Sequence, residues 1–180
     1  MTIKFGIITV SDRSSRGERQ DLAGPAIEEF LLSQGWIVKK QDIVPDDQEK
    51  IQQLLLTWTD NGDLDVLITT GGTGFSPRDI TPEATQAVIE RPTPGITEVM
   101  RSISYKITPH SMLSRAVAGI RKQTLIINLP GSPKGALENL NVVIPVLHHA
   151  VQLLSDHPEA EDGHKIVEQR SKSTHNSSAK

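Results

Sequence analysis

Residues 65–74 read Asp65-Val66-Leu67-Ile68-Thr69-Thr70-Gly71-Gly72-Thr73-Gly74, an apolar and β-branched run that stops on three glycines in four positions. A short run with no polar alternation suits a strand covered on both faces, and such strands belong to parallel sheets flanked by helices. Related runs lie at 3–10 (IKFGIITV), 36–44 (WIVKKQDIV) and 124–129 (TLIINL). Between them the apolar spacing turns helical. Leu22, Ala26, Ile27, Phe30 and Leu31 predict a helix over 22–33, stopped by Gly35. Ile51, Leu54, Leu55 and Trp58 predict a second, capped by Asp46 or Asp47 and ended by Asn61-Gly62. Thr81-Pro82-Glu83 reads as a helix start, with Thr81 as N-cap and Pro82 at the first helical position. A Pro/Gly-broken stretch at 91–95 precedes a short helix through Met100 and Ile103. Leu137, Leu140, Ile144, Leu147, Val151 and Leu154 mark a last helix that Pro145 should kink. Strands alternating with helices predict an α/β domain, a three-layer αβα sandwich with a mainly parallel sheet.

The 180 residues carry 19 Lys+Arg against 22 Asp+Glu, a formal charge of −3, with no cysteine and only three Phe, two Trp and one Tyr. The core is therefore expected to be aliphatic. Zero cysteines exclude thiolate catalysis, Cys-based zinc sites and disulfides, and fit a cytoplasmic home. The acidic balance argues against a nucleic-acid partner, which would need clustered Lys/Arg to grip phosphates. No apolar run approaches the roughly 20 residues of a membrane span, and no signal peptide is recognisable. Residues 1–156 are expected to form one domain. Residues 157–180 hold Ile166 and Val167 as their only large aliphatics and read as a disordered polar tail.

In open α/β sheets ligands bind beyond the carboxyl ends of the strands, where strand order reverses. Each chemically unusual cluster here falls at such an end: Ser11-Asp12-Arg13, Asp46, the stretch 71–79, and Pro130-Gly131-Ser132-Pro133-Lys134. The glycines at 71, 72 and 74 permit positive φ and close approach, so backbone amides there can face an anion. The spacing is neither that of a Walker A loop nor GxGxxG. Carboxylates beside a phosphate repel it unless a cation intervenes, so Asp46 and Asp79 point to bridging Mg²⁺, with helix capping by Asp46 and an Arg78-paired surface turn at Asp79 as the plainer readings. Arg115 is a candidate bidentate phosphate clamp, and Lys134, Arg13 and Arg16 are either anion donors or solvated charges. The six histidines lack metal-ligand spacing, and Arg78 stands where a GxSxG elbow needs glycine, which argues against a serine hydrolase.

Thr9-Val10-Ser11-Asp12, Val44-Pro45-Asp46-Asp47, the block TGGTGFSPRDITPEAT at 70–85, Pro94-Gly95, Met112-Leu113-Ser114-Arg115, Gly119-Ile120-Arg121 and Ile127-Asn128-Leu129-Pro130-Gly131 together resemble the molybdopterin adenylyltransferases, the family of MogA and of the G domains of gephyrin and its plant counterpart. The likeness runs from about residue 5 to 154. It implies transfer of AMP from ATP to the terminal phosphate of molybdopterin, with release of pyrophosphate and a requirement for Mg²⁺. It also implies catalytic, metal-holding roles for Asp46 and Asp79 and nucleotide binding by Gly71, Gly72, Thr73, Gly74, Pro130 and Gly131. Ser11, Asp12, Ser114 and Arg115 fall on the substrate side, and a homotrimer is expected. The chain is too short for a molybdenum-insertase domain as well, so a separate insertase is expected. A MoaB-like paralogue, or a non-catalytic pterin-binding or scaffold protein, is the alternative within the same resemblance.

Overall fold

The computed structural model describes residues 1–155, so the polar tail expected at 157–180 lies outside the described residues. The elements run β1 (Lys4–Val10), α1 (Asp12–Ser15), α2 (Ala23–Ser33), β2 (Ile37–Val44), α3 (Gln48–Asp60), β3 (Val66–Thr70), α4 (Thr81–Val88), β4 (Arg91–Pro92), α5 (Pro94–Tyr105), a 3₁₀ turn (Pro109–Leu113), β5 (Ala118–Arg121), β6 (Thr124–Leu129) and α6 (Pro133–Leu154). The sheet order is β2-β1-β3-β6-β5-β4. β1 is parallel to β2 and β3, and β3 to β6, while β5 and β4 add an antiparallel edge. The expected three-layer αβα sandwich is present.

Its layers follow from alternation along the strands, because successive side chains point to opposite faces. Phe5, Ile7, Val66, Ile68, Leu125, Ile127 and Leu129 pack with Ile27 and Leu31 of α2, Met100 of α5, and Leu140, Leu147 and Val151 of α6. Ile8, Val10, Leu67 and Ile126 meet Ile51, Leu55 and Trp58 of α3 and Val88 of α4 on the other face. Asn128 also faces that second layer, fully buried. Its Nδ2 donates to the hydroxyls of Thr69 and Thr85 at 2.8 Å, and its Oδ1 accepts from the Val117 amide at 3.0 Å, so strand, helix and loop share one satisfied polar hub.

Two local expectations change, at Thr81 and at 91–95. Thr81 is not an N-cap: Ile80 holds that position without a side-chain bond, and the buried Thr81 hydroxyl donates to the Gly71 carbonyl at 2.9 Å. The Gly71 carbonyl, on a buried residue, would otherwise lack a partner, so the Thr81 hydroxyl goes there. Pro145 falls inside α6, which continues through it to Leu154. The stretch 91–95 is not merely irregular, since Arg91 and Pro92 pair with Ile120 and Gly119. A β-carbon on Gly119 would lie 2.7 Å from Ile89, and only glycine admits that approach.

The chain leaves β1 through α2 on one face to reach β2. It leaves β2 through α3 on the opposite face to reach β3, on the far side of β1. The connections therefore diverge beyond the carboxyl ends of β1 and β3, which opens a crevice there.

Candidate active site

A cavity of about 760 Å³ occupies that crevice, walled by Ser11 and Asp12 after β1, Asp46 after β2, Gly71 and Gly72 after β3, Asp79 in the following loop, and Gly131 and Ser132 after β6. Four strand ends far apart in sequence thus meet in one place. The bend after β3 depends on glycine. Gly71 adopts φ +103°, and a β-carbon there would lie 2.3 Å from the Val10 carbonyl oxygen. Gly72 adopts φ +63°, where a β-carbon would lie 2.4 Å from the Thr81 hydroxyl and 3.3 Å from Asp46 Oδ1. Thr70 Oγ1 donates to the Pro130 carbonyl at 2.7 Å and the Gly71 amide to Leu129 at 3.2 Å, tying the bend to the loop after β6. Gly71 therefore shapes the bend, and its own amide is spent. The Gly72 amide makes no hydrogen bond among the described residues, leaving it available to a ligand on the cavity wall. α6 starts at the same wall, with the Ser132 hydroxyl accepting from the Gly135 amide at 3.2 Å, so the positive end of a 22-residue helix faces the space.

Of the two readings of Asp46, capping goes to its neighbour. Asp47 Oδ1 accepts from the Lys50 amide at 3.1 Å and caps α3. Asp46 Oδ2 instead accepts from the Asp12 amide at 2.8 Å, and Asp12 Oδ1 accepts from the Asp46 amide at 3.2 Å. This reciprocal clamp fixes the ends of β1 and β2 to each other. Asp79 Oδ2 accepts from the Ser76 amide at 3.1 Å, and a β-carbon on Gly74 would come within 2.9 Å of it. Arg78 does not pair with Asp79 as the surface-turn reading expects; its guanidinium reaches across the crevice to Asp12.

Burial pushes the Asp46 carboxyl above its ordinary range, and the neighbouring Asp12 and Asp79 carboxylates push the same way, against the Asp12 amide and Arg78. The folded chain then holds this proton more tightly than the unfolded chain does. Stability falls as pH rises from the ordinary carboxylate value through the raised one, and at neutral pH the ionised group is a liability. Asp46→Asn keeps an acceptor for the Asp12 amide and removes the charge. It should raise the thermal midpoint at pH 7 by about 1–3 °C. The gain should fade below about pH 4, where the wild-type group is itself protonated. Paired melting curves at the two pH values measure this directly.

A divalent cation fits the chemistry of these donors. Asp46, partly desolvated, and Asp79, whose negative charge acts on it, are hard oxygen ligands. Among the described residues no three acidic or histidine side chains form a ready-made metal cage, so such an ion would take further oxygens from a ligand.

Not every expected residue arrives. Thr73, Gly74, Pro130, Ser114 and Arg115 stand outside the cavity wall. Arg115 is not free to clamp a phosphate: Nε donates to the Gly74 carbonyl at 2.7 Å, and its other nitrogens reach the Asp79 carbonyl and Glu83. Ser114 and Pro130 line a separate hollow of about 40 Å³ beside Arg101 and Asn139. Arg13 and Arg16, weighed above as anion donors, do line the wall, and Arg19, Ser76 and Arg78 join them. The arginine-rich stretch 13–19 was the available signal for Arg19; nothing in the local sequence separates Arg78 from a solvated charge.

The family model described as "Probable molybdopterin binding domain" matches residues 6–149. The chain belongs to the molybdopterin-binding domain family. Among relatives of this family, the chain is 44% identical over 157 residues to the molybdopterin adenylyltransferase of Helicobacter pylori strain J99, covering 85% of this chain and 88% of that one. It is 44% identical over 165 residues to gephyrin of Dictyostelium discoideum, covering 86% of this chain but only 23% of that much longer protein. Among solved structures, the molybdopterin biosynthesis enzyme MoaB of Thermus thermophilus superposes with a TM-score of 0.82 at 48% identity, covering 87% of this chain and 99% of that one. In this family member the matched segment contains every wall of the cavity.

Proposed function

We propose that the chain is a molybdopterin adenylyltransferase, moving AMP from ATP onto the terminal phosphate of molybdopterin with release of pyrophosphate. The observation that carries the reading is the meeting of Asp46, Asp79 and the open Gly72 amide in one crevice of a molybdopterin-binding domain. The domain proposed for this work is 1–156.

Transfer between phosphates needs alignment and charge neutralisation more than covalent chemistry. Asp46 and Asp79 would hold Mg²⁺, which when bound offsets the charge of the phosphates. The Gly72 amide and the start of α6 offer fixed positive dipoles to the triphosphate, and they are already oriented, so no reorganisation accompanies the reaction. Arg13 and Arg19 on the wall add positive potential for two anionic substrates. Ser11 and Asp12, which follow β1 on the same wall, are assigned to the molybdopterin side. Gly71 and Gly131 act by letting two backbones approach: a β-carbon on Gly131 would lie 3.1 Å from the Gly71 α-carbon.

Incubation with molybdopterin, ATP and Mg²⁺ should release pyrophosphate, and excess chelator should stop it. The likeness to MoaB favours a second reading, a MoaB-like paralogue or a non-catalytic pterin-binding scaffold. Tight pterin binding without pyrophosphate would decide for the scaffold.

The same reading includes a homotrimer. Val99, Tyr105, Ile107, Met112 and Leu113, on α5 and the segment after it, form an exposed apolar surface in the single chain, as a face covered by further copies would. Light scattering should give three times the 19.7 kDa chain mass. A cytoplasmic location and a separate molybdenum insertase complete the proposal.

A further inference from the structure

Arg78 carries charge into the crevice, yet no step above uses it. Its guanidinium pairs with Asp12, whose carboxylate also accepts from the Asp46 amide at 3.2 Å. Asp12 is largely covered, with 18% of its side chain exposed, whereas Arg78 is 66% exposed. The carboxylate is thus built in, and its cation rests on the outside. Arg78 also sits in a short loop whose two ends are held and whose side chains between them lie in solvent. Arg115 grips the Gly74 and Asp79 carbonyls, at either end of the loop, and Glu83 holds Arg115 in turn. Between those points Phe75, Ser76, Pro77 and Arg78 are exposed. Three bonds close the turn itself: the Asp79 amide donates to the Ser76 carbonyl at 2.8 Å, Asp79 Oδ2 accepts from the Ser76 amide at 3.1 Å, and Ser76 Oγ accepts from the Arg78 amide at 3.4 Å, while none of the three uses the Arg78 side chain. A long guanidinium side chain on such a loop can change partner without disturbing the sheet.

We propose that Arg78 is a placeholder cation, neutralising the Asp12–Asp46–Asp79 group while the crevice is empty and passing to the nucleotide phosphates when a divalent cation and nucleotide enter. This rests on the adenylyltransferase reading and makes Arg78 a nucleotide-binding residue within it. Guanidinium suits the exchange, since it pairs bidentately with carboxylate and phosphate alike. The arrangement has two consequences. Bare divalent cation binds poorly to the empty protein, because Arg78 already holds the charge; and the metal enters with the nucleotide, whose phosphates give Arg78 a new partner.

The full-length protein and its Arg78→Gln and Arg78→Lys variants test this. Free Mn²⁺ is first followed by electron paramagnetic resonance with no nucleotide present. Arg78→Gln is expected to bind Mn²⁺ about tenfold more tightly than wild type, and Arg78→Lys to stay within about threefold of it. In turnover, Arg78→Gln should raise the KM for ATP about tenfold while kcat changes by less than about threefold, with Arg78→Lys restoring most of the loss. Because Arg78 is exposed, all three proteins should melt within about 2 °C of one another. Unchanged or weaker Mn²⁺ binding by Arg78→Gln would overturn the proposal, as would an unchanged KM for ATP, which is what a merely structural ion pair predicts. If the wild type releases no pyrophosphate, the adenylyltransferase reading fails, and the Mn²⁺ titration still decides whether Arg78 holds the cation's place.

Discussion

Asp79→Asn should fold as the wild type does and release pyrophosphate about 100- to 1,000-fold more slowly, the usual cost of removing one electrostatic group from a reacting centre. The substitution is nearly isosteric. The bond that Asp79 Oδ2 accepts from the Ser76 amide can be kept by the amide oxygen of asparagine, and the Asp79 carbonyl that Arg115 holds is backbone. The negative charge is what disappears, and with it a ligand for Mg²⁺ and one of the carboxylates that load Asp46. Pyrophosphate release and a melting curve on the same preparation separate the two effects. Turnover close to that of wild type would remove Asp79 from its assigned role.

Gly71→Ala should do the largest damage to the fold of any single substitution at the site. The backbone there sits at φ +103°, which a residue with a β-carbon rarely adopts, and the added carbon would lie 2.3 Å from the Val10 carbonyl oxygen. Both atoms belong to backbone locked into neighbouring strand ends, so neither can step aside cheaply. A cost of about 3 kcal/mol is expected, and the thermal midpoint should fall by roughly 6–12 °C on the 2–4 °C per kcal/mol typical of this chain length. Activity should be lost as well, because the displaced bend carries the Gly72 amide with it. Gly95 provides the comparison: it has no positive φ and nothing within 4 Å of an added β-carbon. Gly95→Ala lies inside α5 and should be neutral or stabilising by up to about 1 kcal/mol. Similar losses at both positions would mean that the bend is not the special feature it is taken to be.

The sheet was legible because burial on both faces writes itself into composition. The runs at 3–10, 65–70 and 124–129 lie over β1, β3 and β6, and their ends moved by one residue at most. β4 and β5 were not legible: two residues containing proline and four containing glycine and arginine carry no strand pattern, and they pair only because β6 is already there. Within the site, the positions at strand ends followed from topology. Ser76 and Arg78, on the loop after the glycines, did not, because side-chain direction there depends on contacts across the molecule. Arg115 and Arg78 are equal on paper as cations near the motif. One is consumed by two carbonyls and Glu83, and the other spans the crevice to Asp12.

The amino-acid order alone determined the layered architecture, the glycine bend and the crevice to which the acidic residues belong, since each follows from local periodicity, backbone freedom and the direction in which strands run. Which aspartate caps α3, which arginine reaches the crevice and which amide stays open were decided only in three dimensions. Those outcomes depend on competition among groups more than thirty residues apart for the same hydrogen bonds and the same few ångströms, and a linear sequence does not record who wins.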